Sequence, residues 1–101
     1  NLMSPVPSVY ETSDNHVIEG FDFDDTIYLP PRTSKKPVHI RCCTSKYSHG
    51  IIEIAGLTDT LFVEISSNVR IMVSAVLKNI VVVGCSNIEL VIGGNPPKVV
   101  L

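Results

Sequence analysis

Alanine is nearly missing from this sequence, with two residues in 101 against 14 valines and 11 isoleucines. Side chains branched at Cβ are stiff at χ1 and suit a pleated surface better than a helix, which excludes a helix-rich fold. Charge is sparse as well, at 18% of residues and a net −2. With 45% apolar residues and a mean hydropathy of +0.30 the chain can fill a core, so disorder throughout is excluded. Eight lysines and arginines are dispersed and outnumbered by ten acids, which argues against a partner bound through nucleic-acid phosphates. No run approaches 18 consecutive apolar residues, and the longest, such as Ile80 to Val83, have the length of strands, so no membrane span is expected. The chain length suits one domain.

Cysteine is scarce too. Cys42, Cys43 and Cys85 are odd in number, two of them are adjacent, and no C-x-x-C pair occurs, which speaks against a disulfide scaffold and for a reducing compartment. A cytoplasmic location is therefore expected, and Asn1-Leu2-Met3-Ser4-Pro5, which lacks a basic segment followed by an apolar one, shows no signal peptide. No G-x-G-x-x-G or phosphate-binding loop occurs, and Gly93-Gly94-Asn95-Pro96 reads as a turn. No cofactor is expected. Ser45, Ser48 and His49 are neighbours without a supporting acid, and His39, Cys42 and His49 lack the spacing of a zinc site, so they read as surface and corner residues.

What the chain does contain is a repeat. Residues 1–16 form a polar, proline-bearing lead-in, and residues 17–101 the folded domain; within it Pro30, Pro31, Arg32, Lys35, Lys36 and Pro37 mark a loop. From residue 38 short apolar runs recur: Val38 to Cys42, Ile51 to Ile54, Leu61 to Ile65, Val69 to Val73, Asn79 to Val83, Ile88 to Ile92 and Lys98 to Leu101. From Ile51 their starts fall 10, 8, 10, 9 and 10 residues apart, which is an internal period. Gly56, Ser66-Ser67-Asn68, Lys78-Asn79 and Gly84-Cys85-Ser86-Asn87 supply corners, since Gly and Asn tolerate left-handed backbone and Ser and Asn can bond corner amides. The connections are too short for crossover helices, and no Asn-Gly or Asp-Gly hairpin turn occurs. The spacing predicts an all-β fold, a right-handed parallel β-helix with two strands per coil of about 18 to 20 residues.

Alternation assigns faces. Glu64 places itself and Phe62 outward and Leu61, Val63 and Ile65 inward; Ile52, Ile54, Val69, Ile71, Val73, Ile88, Leu90 and Ile92 face the core by the same rule. Glu53, Arg70 and Glu89 fall outward as a charge ladder. The outward Phe62, Glu64, Val81 or Val82, Lys98 and Val100 make the other sheet less polar than a solvated face should be.

The stretch from Gly56 to Leu101, above all Leu77-Lys78-Asn79-Ile80-Val81-Val82-Val83-Gly84-Cys85-Ser86-Asn87-Ile88-Glu89-Leu90-Val91-Ile92-Gly93-Gly94-Asn95-Pro96-Pro97-Lys98-Val99-Val100-Leu101, resembles the C-terminal domain of cyclase-associated proteins. The shared features are a strand, a small polar corner, a second strand, a glycine, then a proline and a third strand. That resemblance implies a β-helix that binds ADP-loaded actin monomers, promotes exchange of ADP for ATP and needs no covalent chemistry. It also implies a homodimer built from further strands. The outward Phe62, Glu64, Arg70 and Glu89 are the candidate contacts with a protein partner. The sequence departs from the family at Leu57, where a basic residue is usual, and at Ser66-Ser67-Asn68, where the family carries a Cys- and Lys-rich corner; both departures bear on exchange activity more than on fold.

Three other readings compete. A structural module for self-association or protein docking needs only the repeat and an apolar outer face. The related tubulin-cofactor C domain uses an arginine finger in Gln-x-Arg; the nearest match is Asn68-Val69-Arg70, where Asn replaces Gln and a strand residue paired with Glu53 or Glu89 is the simpler account. Phe21-Asp22-Phe23-Asp24-Asp25-Thr26-Ile27 resembles the first motif of haloacid-dehalogenase-like phosphatases, with Asp22 as nucleophile and Asp24 as general acid. The downstream chain has neither the helices nor the length for that fold, so an acidic loop or edge strand with Phe21, Phe23 and Ile27 packed on the solenoid is expected.

Overall fold

The structure is a computed structural model that describes residues 7–22, 24, 26–46, 50–94 and 98–100. Its strands are β1 (Ser8–Glu11), β2 (His16–Glu19), β3 (Thr26–Leu29), β4 (Val38–Arg41), β5 (Gly50–Glu64), β6 (Ser67–Val83), β7 (Ser86–Ile92) and β8 (Lys98–Val100), with no helix among the described residues. Apart from β1, every pairing is parallel. The chain winds as a β-solenoid of about four turns.

Two walls face each other across the core. Wall one stacks β2, β4, residues 61–64, residues 80–83 and β8, while wall two stacks β3, residues 50–54, residues 69–73 and β7. Val17, His39, Phe62, Val81 and Val100 form one outer column of wall one; Tyr28, Glu53, Met72 and Val91 form one of wall two. Inward columns are aliphatic. Ile18, Ile40, Ile52, Ile54, Leu61, Val63, Ile71 and Ile80 are fully buried, and Ile88, Leu90 and Ile92 pack against them. Buried β-branched side chains in register give each coil the same apolar cross-section, which is why so few residues close a core.

The later coils have the expected length and the earlier ones do not. Met72 lies opposite Glu53 and Val91, nineteen residues away on either side, but Tyr28 pairs with Glu53 twenty-five residues on and Val17 with His39 twenty-two on. The extra residues sit mostly between β4 and β5 and in the proline loop between β3 and β4, with one more in the corner before β3. Two further points differ from the sequence expectation. The positions expected as corners at Gly56 and Lys78-Asn79 lie within β5 and β6, which bend from one wall to the other by register shifts at Ile54/Leu57 and Thr58/Thr60. Within the lead-in, Ser8–Glu11 forms β1, which returns antiparallel along the free edge of β2.

One corner repeats with near-identical chemistry. Gly20, Cys42, Ile65 and Gly84 all have positive φ, and the amides of Gly20, Cys42 and Ile65 each donate 3.1 Å to the carbonyl of Arg41, Glu64 or Val83 in the next coil. Ile65 is therefore a corner residue, 61% exposed, and not the inward residue that alternation predicts. The residue after it in each coil turns inward: Cys43 Sγ, Ser66 Oγ and Cys85 Sγ each donate to the carbonyl two residues earlier, that of Arg41, Glu64 or Val83. Past that corner Asn68 and Asn87 also take positive φ and stack, with Asn87 Nδ2 donating 2.9 Å to Asn68 Oδ1 and Asn68 Nδ2 donating 3.0 Å to the Ser45 carbonyl. These bonds satisfy backbone and amide groups that a tight corner would otherwise strand.

Candidate interaction surfaces

The four candidate contacts fall into two pairs on opposite walls. Phe62 and Glu64 lie on wall one. Arg70 and Glu89 lie on wall two, in register, with Arg70 Nε donating 2.8 Å to Glu89 Oε1 while both stay well exposed. Glu53 does not extend that ladder: its register partners are Tyr28 and Met72, and Arg70 pairs instead with Ile51. The Arg70 guanidinium is thus held by a neighbouring strand as an ordinary exposed pair, a contact that stabilises by about 0–1 kcal/mol.

Wall one is polar over its early coils and apolar over its later ones. Tyr10 Oη donates 2.9 Å to Glu19 Oε1, and this bond holds the phenol above its ordinary range. Arg41 Nε lies 3.9 Å from the same carboxylate oxygen, buried and without a hydrogen-bond partner. His39 Nε2 lies 2.9 Å from Glu64 Oε1; a carboxylate only accepts, so the imidazole carries a proton on that nitrogen. The His39 ring also stacks at a tilt on Phe62, with centroids 5.6 Å apart. Beyond Phe62 no polar partner continues these bonds among the described side chains. Val81 continues its column, Val83 continues that of Glu64 and is 56% exposed, Val100 is 41% exposed, and Ile65 stands at the adjoining corner. Wall two carries a shallow groove of about 210 Å³ beside Glu53, Met72 and Val91, below the size that encloses a small organic ligand.

The acidic motif serves the corner of the first coil. Asp22 bridges Thr44, and Asp24 accepts a hydrogen bond from the hydroxyl of buried Ser45, which in turn accepts 3.2 Å from the Gly50 amide. Phe21 and Ile27 pack on the core as expected; Phe23 and Asp25 lie outside the described residues. His49 and Ser48 lie outside them too, His39 is engaged by Glu64, and Cys42 sits in the left-handed corner. Among the described residues no group of three His, Cys, Asp or Glu is placed to hold a metal ion, and no helix is long and apolar enough to cross a membrane. Burial pushes the Cys43 thiol up, away from the thiolate that reactivity requires.

Two structural residues escaped sequence reasoning. Arg32, in the proline loop, donates from Nη1 to the Ala55 carbonyl at 3.1 Å and from Nη2 to the Leu57 carbonyl at 3.0 Å and Thr58 Oγ1 at 2.7 Å. It fastens the loop to the bend of the next coil. His16 heads β2 and points into the core; the alternation in His16-Val17-Ile18-Glu19 was the available signal, masked by the acids around it. Compared with family models, curated proteins and solved structures, the chain matches none.

Proposed function

We propose that this chain is a non-catalytic, cytoplasmic protein-binding module whose partner is an actin monomer, engaged through the later coils of wall one. The observation that carries the docking surface is the apolar strip of half-buried Val81 and exposed Val83, Val100 and Ile65 next to Phe62. Valines with their side chains in water gain nothing from folding, and covering them against a partner returns roughly 25 cal/mol per Å². The partner's identity rests on the resemblance of residues 56–101 to the cyclase-associated domain. Those residues lie in the coils of regular nineteen-residue length, including the Gly84-Cys85-Ser86-Asn87 corner. Mechanistically, a module that prefers one nucleotide state of actin shifts exchange by the difference in its two affinities. Release of a fluorescent nucleotide from purified actin measures this: acceleration is expected, and no acceleration with no monomer binding at tens of micromolar chain would refute it.

A second reading is self-association or docking of another protein at the last coil. It is favoured by β7 and β8 having no strand on their far sides among the described residues, and by Val99, whose register partner Ile80 is fully buried, remaining exposed. Sedimentation velocity across a concentration series separates the two, since a tight oligomer without actin affinity selects this reading.

A further inference from the structure

His16 faces inward at the head of β2, in the column continued by Val38, Leu61 and Ile80. It is 8% exposed, its Nε2 is buried without a hydrogen-bond partner, and its Nδ1 lies 3.9 Å from Glu11 Oε1, beyond hydrogen-bond reach. A neutral imidazole is therefore held here with its buried Nε2 unbonded, which is already costly. A protonated one fits worse, because it brings a full charge into an aliphatic column and requires an N–H on that unpartnered buried nitrogen.

The charged groups around it cannot absorb that charge. Glu11, opposite His16 in the β1–β2 register, is committed to Lys36, whose Nζ donates to it and also, at 3.1 Å, to the Thr12 carbonyl. The other two charges near the ring, Lys36 and Arg32 from the proline loop, are positive, and Arg32 is committed to the bend at 55–58. The element beside His16 is also lightly held. β1 is four residues long, exposed along its last three, and antiparallel to a strand whose other edge is secured to β4. We propose that the β1 hairpin is an acid-sensitive cap on the first coil, opened by protonation of His16 so that the outer edge of β2 becomes free to pair with another strand.

The sign follows from the burial. Desolvation, first among the causes, lowers the imidazole below its ordinary 6.5, so the closed cap is fully favoured above pH 6.5. As pH falls through that value the open form takes up the proton, and opening grows by up to about tenfold per pH unit until the buried ring itself titrates. Lys36 holds Glu11 below its ordinary 4.5, so loss of that ion pair comes at lower pH and is separable.

Backbone hydrogen exchange by NMR at pH 7.5 and 5.0, corrected for intrinsic rates, tests the cap. Protection of the β1 amides is expected to fall at least tenfold relative to Ile52, Ile71 and Ile80, with a midpoint that follows the His16 ring resonances. His16→Leu, which fills the column without a titrating group, is expected to keep β1 protection flat to pH 5.0. Lys36→Met is expected to loosen β1 at both pH values while keeping the pH-dependent step. Unchanged wild-type protection, an equal fall in His16→Leu, or a midpoint below 4.5 would each overturn the proposal.

Discussion

Ile65 occupies a left-handed backbone conformation, φ 49°, that its branched side chain resists, and it does so in the open, where no packing repays the strain. Equivalent coils place Gly20 and Gly84 there, so the geometry belongs to the corner rather than to the residue. Ile65→Gly is expected to stabilise the chain by about 0.5–1 kcal/mol, the relief of left-handed strain less the added entropy of glycine, read as a higher urea midpoint. Gly84→Ala is expected to cost about 1 kcal/mol. An added Cβ at Gly84 would meet only Ile65 N and Cγ1 at 3.8 and 3.9 Å, so that cost is conformational and not steric. Alternation in the sequence assigned the inward and outward residues of 61–64 correctly and failed one residue later, because a left-handed turn ends the two-residue period.

At the scale of elements, the period was legible where coils have nineteen residues and lost where they are longer. β2 and β3 are short and lie among or just after six acids; β2 is separated from β4 by the corner before β3 and the proline loop, and β3 from β5 by the proline loop, β4 and residues 42–49, so no fixed spacing marks them. Their partners are determined by tertiary contacts such as the three hydrogen bonds of Arg32, which no local pattern announces. Arg32→Met keeps the aliphatic stem and removes those bonds; it is expected to cost about 2 kcal/mol in denaturant unfolding. The loss of exchange protection should begin at residues 55–58 and spread to the proline loop. Protection lost evenly through the chain would mean that the loop is not separately fastened.

Across the whole molecule, two buried groups bound the pH range of stability. Burial raises the Cys43 thiol above its ordinary 9.0, so its contribution is complete below pH 9.0 and is lost as pH rises beyond it. Burial lowers His16, so its contribution is complete above pH 6.5 and is lost as pH falls. Thermal unfolding is expected to show a plateau between those values. Cys43→Ser should remove the part of the alkaline limb that sets in at pH 9.0, since Ser66 makes the same bond to the carbonyl two residues back in the next coil, leaving the later loss that ionisation of Tyr10 brings. The solenoid could be read from composition and period because every coil repeats the same demand. The surface could be read only in part: strand alternation gave Phe62 and Glu64 as outward, but the change along wall one from a bonded polar network to bare valines depends on which coils stack on which.

We have proposed that this apolar half of wall one meets an actin monomer. Titrating labelled monomeric actin with the wild type, Val83→Arg and Arg70→Ala probes that contact, since both substitutions are at exposed strand positions and should leave the fold intact. Saturable binding that Val83→Arg weakens at least tenfold and Arg70→Ala leaves unchanged is the expected result. Binding insensitive to Val83→Arg, or no binding by the wild type at tens of micromolar, would rule out this docking surface.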